Sequence, residues 1–212
     1  MNKKEFFSAH DPKIIPTLQK AVIGIAGAGG LGSNIAVSLA RAGIGKLIVA
    51  DFDKIEPSNL NRQQFFIDQI GIPKVIALLE NLNKISSFTQ YHVHEIKLNE
   101  ENIPFIYKDV DIMVEAFDKA EMKIMLIETW LTHFPNKPII AASGISGWGK
   151  NKLLHTRKVD NLYICGDEKT NLQTGISPMA PRVGIVANMQ ANLILELILN
   201  ENNQPQMNMD ER

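Results

Sequence analysis

Two patterns of apolar positions alternate along the chain. Short apolar runs predict buried strands, and apolar residues that recur every three to four positions predict helices. These patterns predict strands at 21–26, 46–50, 90–96, 111–116, 139–142 and 162–165. They predict helices at 14–18, 31–42, 74–82, 100–107, around 122–130 and at 182–199. This order of elements indicates an α/β fold, Rossmann-like, with a mostly parallel sheet, helices on both faces and an irregular C-terminal third.

The segments outside this pattern are polar. We interpret residues 1–212 as a single domain, with 1–20 as an N-terminal arm or helix, 166–178 as a mobile loop and 201–212 as a frayed tail. The last predicted helix is apolar enough to belong to the core or to a dimer interface. Trp148 lies among glycines, and we expect it in the core.

A glycine-rich turn joins the first predicted strand to the first long helix. Gly27 permits the tight turn, Gly29 lets the backbone approach a phosphate, and Gly32 lets helix and strand pack closely. Gly30 lies between them, where the helix N-terminus favours an anion. Asp51 follows the second strand, 19 positions after Gly32, where an acid hydrogen-bonds a ribose hydroxyl. The segment therefore predicts a nucleotide site.

Composition narrows the class of protein. The net charge is -1 and the charged fraction is 21%, so no overall charge attracts nucleic acid or an anionic membrane. We expect no nucleic-acid partner, no membrane span and a cytoplasmic location. Because Cys165 is the single cysteine, the chain has no intramolecular disulfide framework and no metal site made of cysteines alone.

Several linked motifs resemble the ThiF/MoeB/HesA adenylyltransferases of the ubiquitin-activating-enzyme superfamily. They are the glycine turn 27–32, the acidic turn with Asp51 and Asp53, and the segment 58–63 with Ser58, Asn59, Arg62 and Gln63. Lys74 after a proline and Asp118 after a strand complete the set. The segment 179–183 and the short length resemble the compact ThiF subgroup of thiamine synthesis.

The resemblance implies that the chain binds ATP and Mg²⁺ and catalyses the reaction of the family. The expected reaction is adenylation of the C-terminal glycine of a small ubiquitin-like carrier that ends in Gly-Gly, such as ThiS. It implies that Arg62 and Lys74 are catalytic, that Asp118 holds Mg²⁺, and that Asp51, Asp53, Ser58, Asn59 and Gln63 bind the nucleotide. A homodimer is expected.

Elementary chemistry agrees with this resemblance. A carboxylate that attacks the α-phosphate of ATP is already ionised and needs no general base. Arg62 and Lys74 can neutralise charge that develops on pyrophosphate, and Asp118 can hold Mg²⁺. The plain alternatives are that Arg62 and Lys74 are solvated surface charges and that Asp118 caps a helix.

The chain also departs from the family pattern. Cys165 stands alone, so the paired C-x-x-C zinc motifs of larger relatives are absent, and it lies in an apolar strand where a nucleophilic role is not expected. No arginine precedes Arg41, so Lys13, Lys20 or no residue replaces the N-terminal arginine of many relatives.

Three other functions remain open. One is an NAD-dependent oxidoreductase that uses the same glycine turn, and another is a non-catalytic nucleotide-binding partner of an activating enzyme. The third is a dehydratase that acts on modified tRNA, although it would benefit from a basic patch that this composition does not show.

Overall fold

A seven-stranded sheet forms the centre of the fold in this computed structural model, which describes residues 1–170 and 176–201. Its strands are β1 Val22–Ala26, β2 Lys46–Asp51, β3 Gln90–Glu95, β4 Ile112–Glu115, β5 Ile139–Ser143, β6 His155–Val159 and β7 Leu162–Gly166. The α-helices are α1 Lys3–Phe6, α2 Ile15–Leu18, α3 Gly30–Ala42, α4 Lys74–Ile85, α5 Asn102–Ile106, α6 Ala120–His133 and α7 Ala180–Glu201. Short 3-10 helices lie at Pro57–Asn59, Ile67–Gln69 and Asn151–Leu153.

The order of strands across the sheet is β3-β2-β1-β4-β5-β7-β6. All neighbouring pairs are parallel except β7 and β6, which are antiparallel. The chain winds outward from β1 to β3 and then returns to β4 beside β1, so the direction of winding reverses between β1 and β4. Doubly wound sheets bind ligands beyond the carboxyl ends of their strands at such a reversal. The predicted Rossmann-like α/β fold is confirmed.

Side chains that alternate along the strands build two separate cores. Ile23 and Ile25 of β1 face a core that contains buried side chains of α3, α4 and α7. Ala26 at the end of β1 faces a second core, which includes Ile103 of α5 and Trp130 of α6. Burial of a large aliphatic side chain contributes about 1.5–3 kcal/mol, so both layers of helices are held firmly on the sheet.

Helix α7 is long and apolar enough, by length and composition alone, to cross a membrane. The sequence analysis expects no membrane span, and within the described residues this is the one helix whose length and composition alone would allow one. Val186, Ile194 and Ile198 of α7 are buried in the core shared with α3. A single buried face is what the core helix of a globular domain requires.

The C-terminal third is more regular than its sequence indicates. Strand β6 was not predicted, because all five of its side chains are exposed and it shows no alternation of apolar and polar positions. Trp148 is 73% exposed, so its expected place in the core is wrong. The loop expected at 166–178 is described only in part, because 171–175 lie outside the described residues. The frayed tail expected at 201–212 lies outside them except for the backbone of Glu201.

Candidate active site

The glycine turn between β1 and α3 has the sterically demanding geometry that its spacing predicts. Gly27 has φ +101°, and a Cβ there would lie 2.8 Å from the carbonyl oxygen of Ala116. A Cβ on Gly32 would collide with the carbonyl of Gly27. At Gly29 the nearest atom to a Cβ would be Gln63 Nε2, at 3.7 Å, so the backbone is open on that side. The turn therefore needs glycine at 27 and 32 for packing and leaves 29 accessible to a ligand.

A cavity of about 750 Å³ opens beyond the carboxyl ends of the strands. The predicted site residues that line it are Gly27, Gly29, Gly30, Asp51, Asp53, Arg62, Gln63, Lys74 and Asp118. The structure does not bring Gly32, Ser58 or Asn59 into the lining. A cavity of this size is in the range of small-molecule sites.

Asp51, at the end of β2, ties the glycine turn to the acidic turn. Its Oδ2 accepts a hydrogen bond from the backbone N–H of Ala28 at 2.6 Å, and its Oδ1 accepts one from the N–H of Asp53 at 2.8 Å. Burial raises the pKa of Asp51, although the charge of Lys74 and these two amides act in the opposite direction. A carboxylate oxygen has more than one acceptor position, so Asp51 can still receive a ligand hydroxyl.

Lys74, the first residue of α4, is nearly buried and is paired with Asp53. Its Nζ lies 2.7 Å from Asp53 Oδ2, and its backbone N–H donates to the carbonyl of Asp53 at 2.9 Å. Half of the Asp53 side chain is exposed, whereas 9% of the Lys74 side chain is. Asp53 therefore holds the lysine at the cavity from the solvent side, where a ligand phosphate can compete for the same charge.

Arg62 and Gln63 are carried by a turn that Ser58 and Asn59 build. The carbonyl of Asn59 accepts hydrogen bonds from the N–H groups of Arg62 and Gln63 at 3.2 and 3.1 Å. Arg62 Nη1 donates to the carbonyl of Ser58 at 3.2 Å and to Asn61 Oδ1 at 2.7 Å. Ser58 and Asn59 therefore support the cavity through their backbone, and the direct nucleotide contact that the resemblance implies for them stays a prediction.

The start of α3 fixes this turn in place. Asn34 Nδ2 donates to the carbonyl of Arg62 at 3.0 Å, and Ser33 Oγ accepts from the N–H of Gln64 at 3.1 Å. Gln63 is buried beside Gly29, and its Oε1 has no donor among the described residues. A buried acceptor without a partner is costly, so a ligand donor at this position would be favourable.

Glu115 and Lys123 are cavity residues that the sequence analysis missed. Glu115 ends β4 with a fully buried side chain, and Lys123 Nζ donates to its two carboxylate oxygens at 2.9 and 2.8 Å. Phe117 N–H donates to the same carboxylate at 2.7 Å. Burial raises the pKa of Glu115, and Lys123 opposes that shift. The available signal was an ionisable residue inside an apolar strand, which requires a partner when buried.

Asp118 and Phe52 differ from these residues because both are exposed at the cavity. Within the described residues the carboxylate of Asp118 makes no hydrogen bond or ion pair, so it is available to a ligand. Phe52 is exposed although it is aromatic, and Lys97 Nζ lies 6.0 Å from its ring. Apolar side chains continue the cavity wall around it: Ile96, Leu98, Phe117 and Met122. This end of the cavity suits a flat aromatic group.

Cys165 lies away from the cavity. Its side chain is fully buried in the core shared by α3, α4 and α7, and burial raises the pKa of its thiol. Thiolate chemistry needs an exposed, electropositive setting, so the expectation that Cys165 is not a nucleophile stays a prediction with structural support. Lys13 and Lys20 do not line the cavity of this chain either.

The doubly wound sheet and the glycine turn at its reversal point define a Rossmann-like nucleotide-binding fold. The chain belongs to the ThiF family, whose sequence model matches residues 5–211. It is 29% identical over 189 residues to the adenylyltransferase and sulfurtransferase MOCS3 of Xenopus laevis, covering 85% of this chain and 41% of that protein. It is 32% identical over 139 residues to the adenylyltransferase and sulfurtransferase uba4 of Emericella nidulans, covering 65% and 28%. The chain thus spans less than half the length of these relatives.

Solved structures share the architecture. The E. coli tRNA N6-threonylcarbamoyladenosine dehydratase TcdA, solved in complex with AMP, has a TM-score of 0.85 at 16% identity and covers 94% of this chain and 95% of its own. E. coli MccB, solved with ATP, has a TM-score of 0.67 at 23% identity and covers 91% and 59%. At these identities the likeness confirms the fold.

Proposed function

We propose that this protein catalyses the ATP- and Mg²⁺-dependent adenylation of the C-terminal glycine of a small ubiquitin-like sulfur carrier of the ThiS type. The observation that carries the proposal is one cavity that contains an open glycine turn, a ribose-type aspartate and two cations, Arg62 and Lys74. The names of the MOCS3 and uba4 relatives support the adenylyl transfer. A role in thiamine synthesis, a homodimer and a cytoplasmic location belong to the same proposal.

The nucleotide would occupy the part of the cavity around β1 and β2. Asp51 would accept the ribose hydroxyl, Phe52 would face the base, and the phosphates would lie along Gly29 and Gly30. Gln63 Nε2, 3.7 Å from where a Cβ on Gly29 would lie, could donate a hydrogen bond to a phosphate oxygen there. The wall beyond β5 and β7 then remains for the carrier tail; its lining residues are Gly144, Ile145, Ser146, Thr170, Pro178 and Val183.

The chemistry needs positioning and charge. A carboxylate oxygen of the carrier attacks the α-phosphorus, the bond from that phosphorus to the bridging oxygen of the β-phosphate breaks, and pyrophosphate leaves with its electrons. No proton moves, so no general base is required. Negative charge grows on the leaving pyrophosphate, and Arg62 and Lys74 stabilise it. Lys74 would share its charge between Asp53 and a phosphate oxygen.

A magnesium ion fits the donor set, although the described residues contain no group of three His, Cys, Asp or Glu side chains that could hold a metal alone. Mg²⁺ at nucleotide sites usually takes one or two carboxylates and completes its shell with phosphate oxygens and water. Asp118 has an exposed carboxylate at the cavity without another partner in the described chain. It would hold the ion, which supplies positive charge to the phosphates.

One structural observation favours a second candidate, a dehydratase that activates a modified tRNA. The likeness to TcdA extends over nearly the whole of both chains. Exposed lysines also occur close together in sequence beside β6 despite the net charge of -1: Lys150, Lys152 and Lys158. Both candidates use ATP in the same cavity and differ in the group that is activated. Membership of the ThiF family disfavours the NAD-dependent oxidoreductase.

The exchange of labelled pyrophosphate into ATP separates these candidates. Carrier adenylation predicts exchange that requires Mg²⁺ and a ThiS-type carrier and that stops when the two terminal glycines of the carrier are removed. Exchange supported by tRNA and not by the carrier would favour the dehydratase. Absence of exchange with either substrate would favour the non-catalytic nucleotide-binding partner and contradict the proposal.

A further inference from the structure

A buried ion pair lies behind the wall of the cavity that the proposed carrier tail would use. Arg182 Nη2, in the first turn of α7, is 2.6 Å from Asp167 Oδ2, which follows β7. The exposed fractions of the two side chains are 2% and 0%. Neither residue lines the cavity, so the pair acts on the site through the neighbouring residues that it holds.

Asp167 organises the segment after β7 and contacts the segment after β5. Its carboxylate accepts hydrogen bonds from the N–H groups of Lys169 and Thr170 at 2.9 and 2.8 Å and from Thr170 Oγ1 at 3.0 Å. Gly144 has φ +77° and packs so closely that a Cβ would collide with this carboxylate. Burial alone would raise the pKa of Asp167, but the hydrogen bonds from Thr170 and Lys169 and the charge of Arg182 outweigh it and lower the pKa.

Arg182 connects this group to two further segments. Its Nη1 donates to the carbonyl of Gly149 at 2.6 Å, which ties the turn after β5 to the start of α7. The next residue, Val183, lies against the glycine turn, since a Cβ on Gly30 would be 3.3 Å from Val183 Cγ1. The flat guanidinium group reaches two acceptors in different segments at once, which the single ammonium of a lysine does less well.

The segments joined in this way supply the same stretch of cavity wall. Gly144 and Ser146 come from the segment after β5, Thr170 from the segment after β7, and Pro178 and Val183 from the start of α7. A hydrogen bond from Gly147 N–H to the carbonyl of Ser177, at 3.0 Å, links two of these segments directly. Most of this wall lies beyond β5 and β7, whereas Asp51 and the glycine turn lie at β1 and β2. The two halves meet where Val183 lies beside Gly30 and where the carbonyl of Pro178 accepts a hydrogen bond from Asn61 Nδ2 at 3.3 Å.

We propose that Asp167 and Arg182 form a positioning pair that sets the acyl half of the site much more than the nucleotide half. This inference rests on the proposed function, because the acyl half is assigned by it. The pair fixes the wall against which the carrier tail would lie while the adenylate forms. Loss of the pair would then weaken recognition of the acyl group much more than recognition of the nucleotide.

The variant Asp167→Asn tests the pair with little change of shape. The remaining oxygen can keep the hydrogen bonds to Lys169 and Thr170, while the new amide group presents a donor to the donor Arg182. The double variant Asp167→Asn/Arg182→Gln can restore a neutral hydrogen bond and is the rescue. Arg157→Ala is the matched control. It removes the ion pair between Arg157 and Glu168, the residue after Asp167, and neither side chain of that pair lines the cavity.

Two probes without phosphate groups separate the halves of the site without a known carrier. 5′-Sulfamoyladenosine occupies the nucleotide half, and glycylglycyl-sulfamoyladenosine adds the acyl group. For the wild-type protein and Arg157→Ala we expect the acyl compound to bind more tightly than the parent compound. In Asp167→Asn the affinity for the acyl compound should fall by roughly 10- to 100-fold while that for the parent compound changes less than about threefold. The double variant should recover part of the acyl preference.

The outcomes distinguish a failure of the pair from a failure of the proposed function. Equal loss for both probes, or an unchanged acyl preference in Asp167→Asn, overturns the positioning role. If the wild-type protein binds neither probe, the proposed function fails and the acyl assignment fails with it. Hydrogen exchange then decides whether the pair holds the wall. If the pair holds the wall, the Gly147 N–H should exchange faster in Asp167→Asn and at the wild-type rate in Arg157→Ala. The same exchange rate in the two variants would overturn the role of the pair.

Discussion

The buried pair of Glu115 and Lys123 gives a quantitative prediction, because removal of the lysine leaves a carboxylate without its counter-ion. The substitution Lys123→Met keeps most of the side-chain volume and removes the charge. Glu115 is fully buried, and its carboxylate is held by Lys123 and by the backbone N–H of Phe117. Breaking a buried ion pair from one side typically costs about 3–5 kcal/mol.

The structure sets an upper limit to this cost, because Glu115 can take up a proton. Protonating a carboxyl whose ordinary pKa is 4.5 costs about 3.4 kcal/mol at pH 7 and about 0.7 kcal/mol at pH 5, at 1.36 kcal/mol per pH unit. In the variant the pKa of folded Glu115 rises further above its unfolded value. The folded state then gains from the proton at low pH and loses that gain as pH rises. The loss of stability relative to wild type should be about 3 kcal/mol at pH 7 and below about 1 kcal/mol at pH 5.

Urea denaturation followed by circular dichroism at both pH values measures this difference. The double variant Glu115→Gln/Lys123→Met is the control, because it contains neither charge. At pH 7 its loss should be smaller than that of Lys123→Met. A loss in Lys123→Met that is equal at the two pH values would refute the reasoning. It would mean that Glu115 is not held as an anion by Lys123.

Three further predictions concern the cavity and its surroundings. Arg62→Ala or Lys74→Ala should lower pyrophosphate exchange by roughly 10²-fold or more while folding is kept. The control Lys84→Ala, on the exposed side of α4, should leave the exchange rate unchanged. Normal exchange in either cavity variant would remove that residue from the mechanism. Binding of 5′-sulfamoyladenosine should weaken as pH falls through the raised pKa of Asp51, because the protonated acid is a weaker acceptor. This weakening should occur at a higher pH than for an ordinary aspartate with pKa 3.8. If Asp51→Asn showed the same pH dependence, the prediction would be contradicted. Cys165→Ser should keep full exchange with a modest loss of stability from the buried hydroxyl, and a carrier adduct by mass spectrometry that disappears in this variant would show that the cysteine is a nucleophile.

The sequence predicted the parts of the site that local sterics determine. Gly27 and Gly32 are required where the chain passes close to its own backbone, and that need produces a fixed spacing. Asp51 and Asp118 follow strands, so their place at one edge of the sheet follows from the parallel α/β order. Arg62 and Lys74 were found through the family resemblance, and the structure places both at the same cavity.

Other features depend on contacts between distant segments and could not be predicted from local patterns. The pairing of Glu115 with Lys123 requires the packing of α6 against β4, and that of Asp167 with Arg182 requires the start of α7 to lie beside β7. Strand β6 is exposed along its whole length and therefore has no periodic pattern. Trp148 lies between Gly147 and Gly149, both with positive φ, and the turn directs its ring outward.

The central claim is that a carrier carboxylate becomes bonded to the α-phosphorus of ATP in this cavity. The most direct measurement uses a ThiS-type carrier whose terminal carboxylate is labelled with ¹⁸O, followed by mass analysis of the AMP released after hydrolysis of the adenylate at its carbonyl carbon. Attack by the carboxylate predicts AMP that carries one labelled oxygen, formed only with ATP and Mg²⁺ and strongly reduced in Lys74→Ala. AMP without label, formed at the same rate in the absence of the carrier, would contradict the claim.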